Sequence, residues 1–167
     1  MDSSTARLSS VLLALGLAAI SSGCTTPRSW AMVVVDRPFG EIWDGFVEIA
    51  ERQGYAADLQ ETDRGLRKYT SRWREAPAPF GMGSRSRLVA RFERPEPDRD
   101  GTVEEGWMLE FHVQRQVVKN MSPGFDPQER DWSDSGQDRT REDVLYGQIR
   151  LRFGHELGVS PTYRQSK

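Results

Sequence analysis

Within residues 107–116, apolar and polar side chains alternate, without exception from Leu109 to Gln114. Trp107, Leu109, Phe111 and Val113 fall on one parity, and Glu110, His112, Gln114 and Gln116 fall on the other. A period of two residues is that of a β-strand, because successive side chains point to opposite faces of the sheet. The segment therefore predicts a strand with one face on a core and the other in water, as in an antiparallel sheet covered on one side only.

Four other segments have the composition or the alternation of strands. They are residues 30–35, 55–61, 66–74 and 85–93, of which residues 55–61 give the weakest signal. Residues 62–65 read Thr-Asp-Arg-Gly, which favours a tight turn into the strand at 66–74. In that strand the period of two places Tyr69, Ser71 and Trp73 on the core side.

Two helices are predicted from spacings of three and four. The first carries the apolar residues Phe39, Ile42, Trp43, Phe46, Val47 and Ala50, and Gly54 would end it. The second begins near Asp138 or Thr140 and carries Leu145, Ile149, Phe153 and Leu157 before Gly158.

The predicted fold is α+β, a two-layer sandwich in which both helices pack on one face of an antiparallel sheet of about five strands, in the order β-α-β-β-β-β-α. The 167 residues leave room for one such domain, at residues 30–157. Residues 120–138 are rich in Pro, Gly, Ser and Asp and predict a long loop, in which Phe125 and Trp132 are candidates for contact with a partner. Residues 158–167 predict a flexible polar tail.

The amino-terminal segment has the pattern of a cleaved secretory signal peptide, at residues 1–23. Arg7 precedes an apolar run at residues 11–20, which is too short to span a bilayer, and small residues follow it. The sequence Ser-Ser-Gly-Cys at 21–24 resembles the lipobox of bacterial lipoproteins, with Ser21 where that family usually has leucine. The resemblance implies cleavage after Gly23 and lipid on Cys24.

Cys24 is the single cysteine of the chain, so an internal disulfide is excluded. The alternatives to lipid attachment are a free thiol or an intermolecular bridge. Acyl chains on Cys24, palmitate among them, would contribute about 0.8 kcal/mol for each buried methylene and hold the domain permanently on a membrane. By resemblance to lipoprotein sorting patterns, Thr25 implies the outer membrane, with the domain facing the periplasm.

The tether at residues 24–29 spans roughly 20 Å at most when extended, so the domain lies close to its membrane. The mature chain also resembles the helix-grip domains of accessory lipoproteins in the outer-membrane β-barrel assembly machinery. That likeness rests on Pro-Phe-Gly-Glu-Ile-Trp at 38–43, which opens the first helix, and on the strand after Arg64-Gly65. It covers residues 30–157 and implies a binding role in envelope assembly.

Catalytic chemistry finds little support in the sequence, and no enzyme is predicted. His112 and His155 are the only histidines, neither lies in a recognisable motif, and both are expected at the surface. No Cys or His pair has zinc-ligand spacing, so neither a metal nor a cofactor is predicted. A calcium loop running from Asp131 to Glu142 is a weaker alternative to a solvated loop that caps a helix.

Basic residues gather on two predicted neighbouring strands. Lys68, Arg72 and Arg74 are expected on the outward face of one strand, and Arg85, Arg87 and Arg91 on that of the next. If the strands pair, a positive ridge results that could meet lipid phosphates or an acidic protein; the alternative is a solvated face balanced by nearby acids. The net charge of −2 argues against a nucleic-acid partner.

These patterns together predict a membrane-anchored, non-catalytic accessory module that binds an envelope protein through its sheet face or through residues 120–138. The alternative is a carrier of a small ligand or lipid. It requires an apolar pocket between helix and sheet, lined by Trp43, Tyr69 and Phe111.

Overall fold

A computed structural model describes residues 29–76, 83–95, 106–119, 127–154 and 162–165. The α+β prediction is confirmed, because in these residues one antiparallel sheet carries two helices on one face. The elements are β1 (Ser29–Val35), α1 (Phe39–Arg52), β2 (Lys68–Thr70), β3 (Arg74–Ala76), β4 (Ser84–Glu93), β5 (Trp107–Val118), β6 (Trp132–Gln137), α2 (Arg139–Phe153) and β7 (Thr162–Gln165). One 3-10 turn, Glu129–Asp131, precedes β6.

The sheet has seven strands, more than the five expected. Its order is β2-β4-β5-β1-β7, with β3 paired to β4 and β6 paired to β5. β5 is the longest strand and pairs with β4 on one side and with β1 and β6 on the other. The strand predicted best from alternation is therefore the centre of the sheet.

Helix α1 begins after Pro38, whose ring suits the start of a helix, and has Glu41 in its first turn and Arg52 in its last. The apolar residues spaced at three and four face the sheet: Ile42, Trp43, Phe46, Ile49 and Ala50 are buried. The chain leaves the helix through Gln53 and then Gly54, whose φ of +81° is the left-handed conformation that glycine adopts without strain. The predicted stop is confirmed.

Aromatic rings form the core between α1 and the sheet. Phe46 lies edge-on to Tyr69 and to Phe92, at centroid distances of 5.3 and 5.4 Å. Tyr69 is fully buried and its hydroxyl donates to the carbonyl of Tyr55 at 2.5 Å. Burial raises the pKa of the Tyr69 hydroxyl far above its ordinary value, so Tyr69 stays a neutral donor.

Helix α2 begins where the sequence predicted, because the Asp138 side chain accepts the backbone N–H of Arg141 at 3.1 Å and caps the first turn. It ends at Phe153, a turn earlier than expected, because Gly154 takes the left-handed conformation at φ +73°. Leu145 and Ile149 are buried in the core, whereas Leu157 and Gly158 lie outside the described residues.

Three sequence predictions are wrong in the described residues. Residues 55–61 form a turn with one isolated bridge, Ala57 to Ser71, instead of a strand. The segment predicted as a loop at 120–138 contains β6, and the predicted flexible tail contains β7, whose backbone pairs with β1. Both added strands are polar and without alternation, so pairing with an existing edge of the sheet forms them.

The strand predicted at 66–74 is split by a β-bulge. Thr70 pairs with Val89 and Arg74 pairs with Ser86, so three residues, 71–73, lie between these pairs on one side and only two, 87 and 88, on the other. A shift of one residue reverses the faces of all later side chains. Trp73 consequently leaves the core side, and Arg74 joins Ser86 on the helix side.

Within the described ranges, neither helix is long and apolar enough to cross a bilayer. The predicted signal peptide, Cys24 and most of the tether fall in residues 1–28, outside those ranges.

Candidate functional site

The outer face of the sheet, turned away from the helices, carries the most distinctive side chains. Rows of paired residues cross it from β4 to β5 to β1: Arg91, Glu110 and Met32 form one row, and Val89 pairs with His112 in the next. The prediction that this face is solvated is wrong at its centre, where Glu110, His112 and Gln114 are at most 5% exposed.

Long aromatic and basic side chains cover that centre. Trp30 lies edge-on to His112, with ring centroids 4.3 Å apart, and the Arg91 guanidinium lies 4.6 Å from the Trp30 ring. His112, expected at the surface, is therefore only 3% exposed. His155 lies outside the described residues.

An alternating stack of tryptophan and arginine runs along the same face. The Arg85 guanidinium lies 4.5 Å from the Trp132 ring and 4.3 Å from the Trp73 ring, and the Arg87 guanidinium lies 4.6 Å from Trp73. Each such contact contributes about 0.5–2 kcal/mol, the larger values applying where water is excluded. We call Trp30, Trp73, Trp132, Arg85, Arg87 and Arg91 the Trp–Arg face.

Arg85 is the most firmly held member of this face. Its two terminal nitrogens donate to the two carboxylate oxygens of Glu129, each at 2.6 Å, and its Nε donates to Gln116 Oε1 at 2.8 Å. Arg85 is 5% exposed, whereas the Glu129 side chain is 81% exposed. The hydrogen bonds from Arg85 hold the pKa of the Glu129 carboxyl below its ordinary value, so the pair persists into mildly acidic solution.

The other two arginines are also matched to carboxylates. Arg87 donates to Gln114 at 2.9 Å and forms an ion pair with Glu61 at 3.3 Å. Arg91 bonds to the buried Glu110 and lies 3.3 Å from Glu93. These pairs largely compensate the positive charge expected of a ridge, and they fix the direction of each guanidinium.

The six predicted basic residues do not all share this face. Lys68 pairs with Arg91 and is exposed at the rim, and Arg72 is exposed in the bulge. Arg74 lies on the helix side because of the bulge, where its Nη1 donates to the carbonyl of Gln53 at 3.1 Å.

Of the two residues predicted to meet a partner from a loop, Trp132 lies on β6 and belongs to the stack. Phe125 lies outside the described residues. The calcium alternative loses its last ligand to another role, because Glu142 is fully buried and bonds to Val113 and Arg139. Among the described residues, no three His, Cys, Asp or Glu side chains gather closely enough to hold a metal ion.

The pocket required by a ligand carrier would lie where the core is packed. Trp43 is 6% exposed, and Tyr69 and Phe111 are fully buried. Trp43 and Tyr69 contact each other at a centroid distance of 6.3 Å. In the described part of the chain these rings themselves occupy the space between helix and sheet.

The sequence singled out Trp132 as a contact residue of a loop, but it did not place Trp30, Trp73 and Trp132 together on one face with the arginines of β4. Alternation in β4 gave the outward direction of Arg85, Arg87 and Arg91. The position of Trp73 depends on the bulge, and that of Trp132 on the pairing of β6 with β5, neither of which leaves a local pattern in the sequence.

Comparison with known proteins found no family model and no curated protein that matches the sequence.

Proposed function

We propose that the chain is a lipid-anchored accessory module of the bacterial cell envelope that binds a protein partner through the Trp–Arg face and catalyses no reaction. The observation that carries the proposal is the stack of Arg85 and Arg87 against Trp73 and Trp132. Tryptophan and arginine are the residues that most often dominate the free energy of protein–protein binding.

The rigidity of this face favours binding further. Ordering a long side chain at an interface costs about 0.5–1.5 kcal/mol, and a side chain already held by neighbours avoids most of that cost. Arg85 has three side-chain hydrogen bonds and two ring contacts before any partner arrives. Binding would therefore desolvate the face without having to order it.

The charges around the face suggest a mixed rim. Glu61, Glu93 and Glu129 lie beside the arginines and have side chains that are 45–81% exposed. Such a rim would set the orientation of a partner with complementary charges, while the tryptophans supply apolar contact area.

Position relative to the membrane supports a partner in the envelope. The lipid anchor on Cys24, as the lipobox resemblance implies, would precede β1 by only five residues. The domain would then sample partners in or near one bilayer and a limited depth of the periplasm.

A site-specific photo-crosslinker tests the proposal in native membranes. A photoreactive residue at Lys68, at the rim of the face, should capture one discrete envelope-assembly protein. The same residue at Leu151, 78% exposed on α2, should not. Adding Trp73→Ala should abolish the Lys68 adduct, and Cys24→Ser should reduce it.

Thermal unfolding of the Trp73→Ala variant establishes that loss of the adduct is not loss of the fold. Equal capture from Lys68 and Leu151, or a Lys68 adduct that persists without Trp73, would refute binding through this face.

A further inference from the structure

A second polar site lies on the opposite face of the sheet, at the end where β3, β4 and β5 meet the first turn of α2. It is a cleft of about 330 Å³. Its lining consists of Arg74, Glu75, Ala76, Ser84, Arg85, Ser86, Arg115, Asp138 and Arg141. None of its guanidinium groups except that of Arg85 belongs to the Trp–Arg face.

A row of three residues forms the floor of the cleft. Arg74 on β3 pairs with Ser86 on β4, and Ser86 pairs with Arg115 on β5, so all three point to the helix side. Neighbouring strands lie about 4.8 Å apart, which places the two arginine Cα atoms roughly 10 Å from each other with a serine between them. Arg141 adds a third guanidinium from α2.

The Ser86 hydroxyl is positioned by the core. It lies 3.3 Å from the hydroxyl of Tyr55, which is fully buried. The floor of the cleft thus presents a fixed hydroxyl between two long cations, a combination suited to the oxygens of a phosphate group.

The arginines of the cleft differ from those of the Trp–Arg face in their charge balance. Within the described ranges, no carboxylate lies within 4.0 Å of the guanidinium of Arg74, Arg115 or Arg141, whereas Arg85, Arg87 and Arg91 each have at least one. The two carboxylates that line the cleft are Asp138, which accepts the backbone N–H of Arg141, and Glu75, which follows Arg74 on β3 and therefore points to the other face of the sheet. The helix-side wall therefore holds excess positive charge.

The cleft lies at the end of the sheet from which the chain leaves toward Cys24. Ser29, the first residue of β1, is hydrogen-bonded to Gln137, and Gln137 pairs with Gln114, the neighbour of Arg115. Arg139, two residues before Arg141, also bonds to Ser29. The tether and the three arginines thus share one side of the domain.

We infer that this cleft binds the phosphate group of an anionic lipid headgroup in the membrane that holds the chain. Guanidinium groups bind phosphate oxygens in a bidentate manner, and an anionic bilayer attracts basic residues only within about a Debye length of its surface. The inference rests on the lipid anchor of the proposed function, because the short tether brings the cleft to the bilayer. Headgroup binding would add a second attachment to the membrane beside the lipid anchor.

Vesicle binding of the full chain tests this, with Cys24→Ser in every sample so that acyl chains contribute nothing. The measured quantity is the gain in partition when phosphatidylglycerol is added to phosphatidylcholine vesicles. Arg115→Ala with Arg141→Ala should reduce this gain by about tenfold. The matched control is Arg37→Ala with Arg152→Ala, which removes the same charge from the segment before α1 and from the last turn of α2. It should reduce the gain in partition by less than about twofold.

A second experiment adds inorganic phosphate to the protein and measures the backbone amide NMR signals of Ser86 and Arg141, which should shift. Equal losses in the two double variants would reduce the effect to net charge and overturn the inference. Shifts with inorganic phosphate but no gain with phosphatidylglycerol would overturn the lipid assignment.

Two controls separate this inference from the function proposed above. Thermal unfolding confirms that both double variants fold, which the exposure of Arg115 and Arg141 favours. The Lys68 crosslink should survive Arg115→Ala with Arg141→Ala in the anchored chain, so either proposal can fail without the other.

Discussion

Gln137 and Ser29 exchange two hydrogen bonds although 108 residues separate them in sequence. The backbone N–H of Ser29 donates to Gln137 Oε1 at 3.0 Å, and Gln137 Nε2 donates to the carbonyl of Ser29 at 2.7 Å. The Gln137 amide thus forms with Ser29 the two hydrogen bonds that the backbone of a neighbouring strand would form. The entry to α2 is thereby joined to the start of β1.

Replacing Gln137 by alanine should lower the free energy of unfolding by about 1–3 kcal/mol, because the nearly buried backbone groups of Ser29 lose their partner. Denaturant unfolding measures this change, and amide hydrogen exchange should show faster opening at the start of β1. Gln60→Ala is the control, since the Gln60 side chain is exposed. Equal stability of the two variants would contradict the role assigned to Gln137.

Glu142 should make stability depend on pH. It is fully buried, its Oε1 accepts the N–H of Val113 at 2.9 Å, and its Oε2 accepts from Arg139 at 2.7 Å. Burial outweighs these bonds and raises the pKa of the carboxyl above its ordinary value of 4.5. Between 4.5 and the raised pKa the folded chain holds a proton that the unfolded chain has lost, so this group's contribution to stability falls as pH rises through that window.

Glu142→Gln removes that titration and keeps an oxygen for Val113. The difference in unfolding free energy, native minus variant, should therefore grow as pH is lowered from 7 toward 4.5, and become constant below it. Denaturant unfolding of both proteins across this range measures the difference. Parallel pH profiles would show that Glu142 does not titrate in this way.

Arg85→Lys should destabilise the fold by about 1.5–3 kcal/mol although it keeps the charge, because lysine cannot form the paired bonds to Glu129 or stack flat between two indoles. Arg87→Lys is the matched control on the same strand. The Arg87 side chain is 25% exposed and its ion pair is longer, at 3.3 Å, so its loss should cost less than about 1 kcal/mol. Chemical denaturation compares the two, and a larger loss at Arg87 would argue against the stack as a source of stability.

Gly106→Ala should cost about 2 kcal/mol or more, since Gly106 has a φ of +116° and an added Cβ would lie 2.6 Å from the carbonyl oxygen of Val35. Gly147→Ala should have the opposite sign. Gly147 lies within α2 with open space at its Cβ position, so alanine should stabilise the fold by about 0.5–1 kcal/mol. Melting temperatures that move in the same direction would contradict this pair of predictions.

The sequence predicts those helices and strands whose pattern of apolar residues reflects which side chains are buried. α1 and β5 carry apolar residues at the period of their own structure, β1 is a continuous apolar run after Ser29, and the predicted bounds of all three are close to the observed ones. β6 and β7 carry no such period, because edge strands gain their backbone hydrogen bonds from a partner strand.

The candidate site was less predictable for the same reason. Alternation identified the arginines of β4, but the polar face of β5 was expected in water because pattern alone does not show what covers it. Trp30 and Arg91 bury His112 and Glu110 from other strands. A one-residue bulge, invisible in composition, decides that Trp73 and Arg74 lie on opposite sides of the sheet.

The pairing of β1 with a strand on each side has a mechanical consequence. β1 lies between β5 and β7, so a pull on Ser29 along the strand loads two ladders of hydrogen bonds in shear at once. Those bonds run perpendicular to the strands and would have to rupture together, whereas an edge strand pulled outward can peel one bond at a time. If the chain is anchored through Cys24 as proposed, the domain can bear drag from its surroundings without unfolding from its amino-terminal strand.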